Sequence, residues 1–470
     1  MTERSSTTAS ERWVLGLAAL GSAVVALDTL VVATALTTVQ DRLGASLAEL
    51  EWTVNAYNLP FAVLMVTAAA MGDRWGRRRV FTAGFALFTL ASAACALAPA
   101  AGWLIAGRAA QGIGAAAVLP LSIAMLGATF PAARRGWATG VFTAVTGLAV
   151  LAGPLVGGAV TYGLSWQWIF WINVPVGVLL VPLALARLPE GRGTARPLDP
   201  AGAVLTAAAL LGIVWGVIRG PEIGWTAPEV LGALFAGVVL GGALVVHERR
   251  TAAPMLPAVL LRVRPFGAAA TAGFLLTAAL LGTLFFITQF VQVTLGSDPL
   301  QAGWQVLPWT ATLFVVAPLA GRLIDRVGER PLVAGGLALQ AVGLLWLAIA
   351  AGSGYGAVGY GALVAPIVLA GIGVSVAMTA AQSAAVAAAP PGTVGVASGI
   401  YAMSRQVGGV VGIALIGAVF VGAGGGPSPE AFGDGFPAAI ATAAVLSLVG
   451  AVAGLVLPAR TPAPALEAAR

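Results

Sequence analysis

The sequence contains no lysine, one histidine and one cysteine in 470 residues, and its 24 lysine-or-arginine positions are all arginine. Without lysine the chain has no phosphate-binding loop of the G-x-x-x-x-G-K-[ST] type and no Schiff-base nucleophile. His247 and Cys95 alone cannot build a zinc site, which needs several protein ligands. These absences exclude a pump with its own ATPase. We expect no metal, no cofactor and no enzymatic activity.

Charge is also scarce: charged residues make up 9% of the chain, hydrophobic residues make up 59%, and the mean hydropathy is +0.95. In soluble domains about a quarter of the residues are charged. We count fourteen mainly apolar runs, from 13–36 near the N-terminus to 437–457 near the C-terminus. Each run is long enough to cross a bilayer as a helix. The sequence therefore predicts an all-α membrane protein with fourteen transmembrane helices.

The arginines lie mostly on one side of this predicted topology. An even number of helices places both termini on the same side, and 20 of the 24 arginines then fall in segments on that side. Arg42 and Arg219 fall on the other side, and Arg108 and Arg405 lie within helices. Since cytoplasmic segments are rich in basic residues, we expect a multi-pass cell-membrane protein with cytoplasmic termini. The pI near 10.4 follows from this topology, so we expect no nucleic-acid partner.

A charged connector occurs twice in the chain. MGDRWGRRRV follows the second predicted helix and LIDRVGERPL follows the tenth, and both contain the pattern D-R-x-G-x-R. Asp73 of the first copy and Asp325 of the second are 252 residues apart. The repeat indicates two equivalent six-helix halves, which is a known transporter architecture with the binding site between the halves.

This repeat predicts the domain organisation. We expect two pseudo-symmetric six-helix bundles with two additional helices between them in the chain. The predicted units are an N-terminal bundle at 1–188, the two inserted helices with their loops at 189–265, and a C-terminal bundle with a short tail at 266–470.

Six motifs, in this order and topology, resemble those of the major facilitator superfamily and of its fourteen-helix drug:proton antiporter family. They are LDTLVVATAL (27–36), AAMGDRWGRRRV (69–80), RAAQGIGAA (108–116), GLAVLAGPLVGG (147–158), SWQWIFWINVPVG (165–177) and SRQVGGVVG (404–412). The chain departs from the family's pattern at Ala33, Thr37 and Ala149, where Asn, Pro and Gly are usual. The resemblance implies a transporter that works by alternating access.

Asp28 is the only acid well inside a predicted helix, where a charged side chain costs about 2.5–3.5 kcal/mol. Arg108 lies at a similar depth, since Asp28 is about 12 Å and Arg108 about 9 Å from the outer ends of their helices. We predict that Asp28 carries the coupling proton and that Arg108 favours its release, a role that the resemblance also implies. The alternative is a structural ion pair that does not titrate.

The fifth predicted helix carries Gly153, Pro154, Gly157 and Gly158. Gly153 and Gly157 lie on one helix face and permit the close approach of a neighbouring helix, while Pro154 removes one helix hydrogen bond. By the resemblance these residues form the antiporter motif. We expect a dry gliding contact that blocks leakage, with ordinary tight packing as the alternative.

The two connectors predict a latch that forms only when the cytoplasmic side is closed. We expect Asp73 to face the start of the thirteenth helix (396–400) and Asp325 to face that of the fifth (136–138), since an acid there gains about 0.3–1 kcal/mol. Arg405 is a further predicted partner of Asp73, and two glycines permit the tight turns. The full predicted latch comprises Asp73, Arg74, Gly76, Arg77, Asp325, Arg326, Gly328 and Arg405.

We expect the substrate cavity to lie between the halves, lined by helices 1, 4, 9 and 12 by analogy with the superfamily. Amides orient a ligand, and aromatic and Met side chains supply adaptable apolar contacts. The candidate residues are Asn55, Asn58, Gln111, Phe285, Phe286, Gln289, Gln292, Met378 and Gln382.

These observations favour a proton-coupled antiporter that exports small, largely apolar compounds, such as drugs or antibiotics, by alternating access. An uptake or facilitative carrier for a small metabolite is the second interpretation, against which the antiporter-type fifth helix counts. A receptor or scaffold does not explain a buried acid and arginine. We expect a monomer whose partners are protons, a small-molecule substrate and the lipid bilayer.

Overall fold

The computed structural model describes residues 9–193, 198–251, 254, 260, 262–352, 359–390 and 394–459. These residues form fourteen helices that are long and apolar enough to cross a membrane, as predicted. The helices are α1 Ala9–Leu43, α2 Leu47–Trp75, α3 Arg77–Ala96, α4 Ala101–Thr129, α5 Ala132–Gly163, α6 Trp168–Arg187, α7 Pro200–Ile223, α8 Pro228–Arg250, α9 Arg264–Val293, α10 Pro299–Val327, α11 Glu329–Ala351, α12 Tyr360–Ala387, α13 Val394–Gly422 and α14 Pro429–Leu455.

The second and tenth helices begin and end in the same way, as the repeated connector predicts. Ser46 caps α2 and Asp298 caps α10, each in a capping box with the residue three positions further on. The helices end at Gly76, with φ of 113°, and at Gly328, with φ of 83°. Side chains other than glycine rarely adopt these angles, so both turns depend on a glycine.

Helices α1–α6 and α9–α14 form two bundles with equivalent internal contacts. In the first bundle α1 packs on α5 and α3 on α4, and in the second α9 packs on α13 and α11 on α12. Each bundle contains a group of buried phenylalanines: Phe81, Phe85 and Phe88 in the first, and Phe286, Phe420, Phe432 and Phe436 in the second. The two bundles with two additional helices are thus confirmed.

The additional helices α7 and α8 pack against each other, and α7 also packs against both bundles. We call the line along which α2 meets α13 the α2–α13 seam. The apolar cluster under α7 comprises Leu59 and Val63 of α2, Val214 and Ile218 of α7, and Val410 and Ala414 of α13. One of the two lines of contact between the bundles is therefore covered by α7.

The bundles contact each other more closely on one side of the helices than on the other. We call the side of the Gly76 and Gly328 turns the connector side, and the opposite side the distal side. On the distal side α5 touches α10, because a Cβ at Gly158 would overlap the Pro299 backbone. On the connector side a Cβ at Gly140 of α5 or Gly321 of α10 would meet none of the described atoms within 4 Å. Helices α5 and α10 are therefore in contact at the distal end, whereas these two glycines have no described neighbour at the connector end.

Candidate proton site and central cavity

Asp28 is buried inside the N-terminal bundle and accepts hydrogen bonds from three side chains. Arg108 Nη1 lies 2.5 Å from Asp28 Oδ2. Gln111 Nε2 donates to Asp28 Oδ1 at 2.9 Å, and Asn173 Nδ2 donates to the same oxygen at 3.0 Å. All four side chains are at most 1% exposed. Three N–H donors match a carboxylate, which accepts hydrogen bonds at both oxygens.

The guanidinium of Arg108 has further partners that fix its position. Its Nε donates to the Thr53 carbonyl at 3.2 Å, and its Nη1 donates to Gln111 Oε1 at 2.6 Å. The guanidinium lies over the Tyr57 ring at 4.1 Å from the centroid, a favourable cation–π geometry. Buried ion pairs offset their desolvation only when their remaining polar groups are satisfied. This pair meets that condition.

The local sequence explains how three helices converge on Asp28. Arg108 and Gln111 are three residues apart, so they lie on the same face of α4. Asn173 begins the second part of α6, directly after the turn at Ile172. Ser92 of α3 completes the cluster, since it accepts hydrogen bonds from Gln111 and Asn173. Asp28 and Arg108 were predicted from sequence, whereas the roles of Ser92, Asn173 and Tyr57 were not.

A central cavity of about 240 Å³ lies between the two bundles. Its wall is mostly apolar and includes residues of α1, α2, α4, α5, α9, α10, α12 and α13, and thus all four predicted helices. Representative lining residues are Ser22, Thr29 and Leu30 of α1, Phe61 of α2, Leu119 of α4, Thr146 and Val150 of α5, Thr277 and Leu284 of α9, Trp309 of α10, Met378 of α12, and Arg405 and Gln406 of α13.

Asp28 lies behind the wall of this cavity. Its neighbours Ala26, Thr29 and Leu30 line the cavity, while the Asp28 side chain turns into the bundle and is 0% exposed. Tyr57 connects the two regions, because it stacks on Arg108 and its hydroxyl donates to the carbonyl of Val25, another lining residue. One helix thickness therefore separates the ion pair from the cavity.

The structure places most predicted cavity residues elsewhere. Of the nine, Met378 is a lining residue. Gln111 belongs to the Asp28 cluster, and Asn55 and Asn58 are buried in α2. Phe285 and Phe286 pack inside the C-terminal bundle, Gln289 donates to the Phe285 carbonyl, and Gln382 is exposed. Helical position alone did not reveal which face of each helix turns to the cavity.

Gln292 contributes to the distal seal instead of the cavity. Its Nε2 donates to the Thr34 carbonyl at 3.2 Å, and the Thr37 hydroxyl donates to its Oε1. These bonds join α9 of one bundle to α1 of the other. Thr37 stands where the family usually has proline, so this chain has a hydroxyl donor at a position that otherwise lacks one.

The glycines of α5 contact two different neighbours. A Cβ at Gly153 would press on Leu30, and one at Gly157 would overlap Val31 and Thr34, so both glycines face α1 within their own bundle. Gly158 faces Pro299 of α10, across the two bundles. Gly408 and Gly412 of α13 face Phe274 and Ala278 of α9, which repeats the α5–α1 contact in the second bundle.

The first connector makes contacts other than those predicted. Arg77 donates from Nε and Nη2 to Asp73 Oδ1, at 2.9 and 2.7 Å, and from Nη1 to the Ala124 carbonyl. The segment after α6 packs on this turn, since the Arg77 N–H donates to the Gly191 carbonyl. In this conformation Asp73 thus pairs with Arg77, where we predicted the start of α13.

Arg405 also differs from its predicted position. It lines the central cavity, and it donates from Nε to the Thr277 hydroxyl at 3.2 Å and from Nη2 to Met378 Sδ at 3.1 Å. The predicted pairing with Asp73 belongs to the conformation in which the connector side is closed, and it is not formed in this one. Arg74 and Arg326 are exposed, and the Asp325 side chain lies outside the described part of the structure.

Two helical bundles around a central cavity, with a buried ion pair beside it, define a membrane transporter. The family profile described as Major Facilitator Superfamily matches residues 18–291 and 269–470. The chain therefore belongs to the major facilitator superfamily, in its drug-efflux branch.

Several relatives are named as export or resistance proteins. The Multidrug resistance protein Stp of Mycobacterium tuberculosis is 36% identical over 85% of this chain and 74% of its own length. The Tetracenomycin C resistance and export protein of Streptomyces glaucescens is 33% identical over 88% and 77%. The Cephamycin export protein CmcT of Amycolatopsis lactamdurans is 36% identical over 97% and 95%.

Solved structures share the fold at low identity. A bacterial homolog of the human lysosomal transporter Spinster, in an inward-facing and occupied conformation, matches with a TM-score of 0.70 and 14% identity over 96% of this chain and 97% of that chain. The peptide transporter POT in complex with sulfate matches with a TM-score of 0.69 and 18% identity over 94% and 95%.

Proposed function

We propose that the protein is a proton-coupled antiporter that exports small, largely apolar compounds across the cytoplasmic membrane by alternating access. The observation that carries this proposal is the buried pair of Asp28 and Arg108 beside the central cavity. An ionisable pair inside a membrane bundle is costly and marks a proton or substrate pathway by default. Both termini lie in the cytoplasm in this proposal, so the connector side faces inward.

The arrangement supports a defined step of the cycle. With the distal side sealed, Asp28 accepts three N–H donors, as a carboxylate does. This is the state expected after the proton has left toward the cytoplasm. Substrate then enters the cavity, the connector side closes, and the distal side opens to release the substrate and admit a new proton. Movement of α1 couples substrate binding in the cavity to the proton on Asp28, since one face of α1 holds Asp28 and the other face lines the cavity.

The pH gradient provides the direct test of this function. We expect inverted vesicles containing the protein to accumulate an apolar substrate when their lumen is acidic, and to lose that accumulation when the gradient is collapsed. An uptake or facilitative carrier would only equilibrate the substrate, and a receptor or scaffold would leave its distribution unchanged. Accumulation that does not depend on the gradient would contradict proton coupling.

The cavity has a charge that sets a substrate preference. Arg405 is the one charged side chain among the described lining residues, and hydrogen bonds to a charged group contribute about 1.5–3 kcal/mol. Among compounds of matched size, we expect neutral and anionic ones to be exported about tenfold faster than cationic ones. Arg405→Gln should remove the preference and the exposed Arg326→Gln should not, as measured by competition for export. Faster export of the cations by the wild type would contradict this assignment.

We retain the latch as a proposal for the conformation in which the connector side is closed. There Asp73 exchanges Arg77 for the start of α13, a contact worth about 0.3–1 kcal/mol. Asp73→Asn should therefore increase the connector-open population about two- to fivefold. The measurement is modification of a cysteine at Thr146, in the cavity wall, by a reagent added from the connector side. Glu190→Gln is the control, since Glu190 pairs with Arg78 and Arg79. Unchanged modification together with normal transport would remove the latch.

A further inference from the structure

A row of polar side chains runs along one buried face of α2. Glu51, Asn55 and Asn58 are spaced by four and three residues, so they lie on one helix face. They are 3%, 0% and 1% exposed. Glu51 Oε2 and both polar atoms of each asparagine have no hydrogen-bond partner among the described residues. We call these three residues the α2 polar row.

The α2 polar row faces α13, across the two bundles. The Glu51 carboxyl occupies the space that a Cβ at Gly417 would need, and Val66, further along the same face of α2, lies against Gly399. These two contacts show that α2 and α13 run antiparallel. The row therefore lies between the helices from the Glu51 contact at the distal end toward the middle of the seam. There Phe61 of α2 and Gln406 of α13 line the central cavity.

The surroundings supply few charges to this row. On α7, Arg219 pairs with Glu222 at 2.6 Å. The facing stretch of α13, from Gly399 to Gly417, has Arg405 as its charged residue, and Arg405 is at the cavity. On α4, Arg108 touches the Thr53 carbonyl and is paired with Asp28. No described cation forms an ion pair with Glu51.

Such a row is costly unless it is hydrated or protonated. An unpaired buried amide costs about 1–3 kcal/mol, and an isolated carboxylate costs far more. Buried waters normally satisfy groups of this kind. A neutral carboxylic acid removes the charge penalty at Glu51. Apolar residues would pack this helix contact at a lower cost, so the row requires an explanation other than packing.

We propose that Glu51 is a second proton-binding site and that Asn55 and Asn58 carry a hydrated proton path from it to the central cavity. When α2 and α13 separate on the distal side, Glu51 meets water and ionises. Sealing that side buries the carboxyl against Gly417, which requires that it first bind a proton from the distal water. While the distal side is still open, a proton that Glu51 passes through hydrogen-bonded water along the two amides toward the cavity is replaced from the distal water, so the carboxyl is neutral when the seal forms.

This inference rests on the proposed function only for the direction in which protons and substrate cross the membrane. Protons that enter from the distal side of an exporter arrive when the substrate has left. A seal that forms only over a protonated Glu51 prevents the empty transporter from returning without a proton. Asp28 and Glu51 then have separate tasks, since Asp28 responds to the cavity and Glu51 permits the distal side to close.

The experiment measures distal opening directly, without substrate. Spin labels at Arg42→Cys and Ala423→Cys, both exposed on the distal side, report the separation of the bundles in a Cys95→Ser background in nanodiscs. In the wild type, raising the pH from about 5 to about 9 should increase the distally open population by up to tenfold per pH unit through one-proton linkage. Glu51→Gln should remain sealed throughout. Glu430→Gln, an exposed distal acid, should behave as the wild type.

Other outcomes would overturn the assignment. Equal pH responses of the wild type and Glu51→Gln, or no response in the wild type, would exclude Glu51 as the titrating group. A Glu51→Gln variant that opens at every pH would assign Glu51 to an ion pair, with Arg219 as its partner. Failure of the proposed export function is distinguishable, because it would show in the vesicle assay while this distance measurement would be unaffected.

A second variant tests the path. Asn58→Leu keeps the side-chain size and removes the amide, so it should fold and slow proton entry from the distal side about tenfold or more in proteoliposomes with an internal pH dye. Asn58→Asp, which restores a hydrated polar group, should recover most of the rate. An unchanged rate in Asn58→Leu would remove the path.

Discussion

Asp28→Asn is expected to abolish uphill export while leaving downhill exchange of the substrate largely intact. One proton moving down about 150 mV supplies about 3.5 kcal/mol, which supports a substrate gradient of about 300-fold. Asparagine has nearly the same shape, and its carbonyl oxygen can still accept the hydrogen bond from Arg108, while the Asn173 amide can rotate to present its oxygen to the new NH2 group, so the bundle should fold. The variant lacks the carboxyl that is proposed to carry the coupling proton. Its accumulation ratio in inverted vesicles should fall from this ceiling to about one.

The decisive comparison is proton release on substrate addition to the purified protein. Wild-type protein should release protons and Asp28→Asn should not, while the exposed Asp41→Asn serves as the matched control. If the pair is only structural, the variant should instead lose expression or every transport mode together. Equal proton release from wild type and Asp28→Asn would eliminate Asp28 as the carrier.

Gly158→Leu is expected to prevent the distal side from sealing. A side chain at Gly158 would overlap the Pro299 backbone of α10, and such overpacking costs about 1–3 kcal/mol. That cost shifts the ratio of sealed to open protein by about 5- to 150-fold. Transport should fall accordingly, and a cysteine at Thr34 on the distal side should react faster with a membrane-impermeant reagent.

Two further glycines of α5 make this prediction specific. A Cβ at Gly163 would meet no described atom within 4 Å, so Gly163→Leu should transport normally. Gly157 faces Val31 and Thr34 inside its own bundle, so Gly157→Leu should lower the yield of folded protein without favouring distal opening. Wild-type transport by Gly158→Leu would show that α5 and α10 do not need to touch during the cycle.

The length of the apolar runs and the positions of the charged residues allowed much of the fold to be predicted. Apolar runs fix the helices because a bilayer accepts little else, and the repeated connector identifies the two halves. Asp28 and Arg108 stand out because ionisable residues are rare in such runs. Ser92 and Asn173 have no comparable signal, since a neutral polar residue in a membrane helix is common and its partners come from distant helices.

The contacts that the sequence did not predict have a common physical cause. Glu51 lies near the start of a predicted helix, where an acid is ordinarily solvated, and its burial depends on α13, far away in the chain. Arg405 was assigned to Asp73 because both lie toward the same helix ends, yet in this conformation α13 turns Arg405 to the cavity and Asp73 pairs with Arg77. Contacts between bundles change during transport, so helical spacing within one bundle cannot determine them.

The position of α7 has a consequence for how an apolar compound reaches the cavity from the lipid. The α2–α13 seam is covered by α7, whereas Leu148 of α5 and Val315 of α10 are exposed beside the other line of contact. We propose that lateral entry from the bilayer is one-sided: a membrane-dissolved molecule would pass between α5 and α10 and first meet the wall formed by Thr146 and Val150.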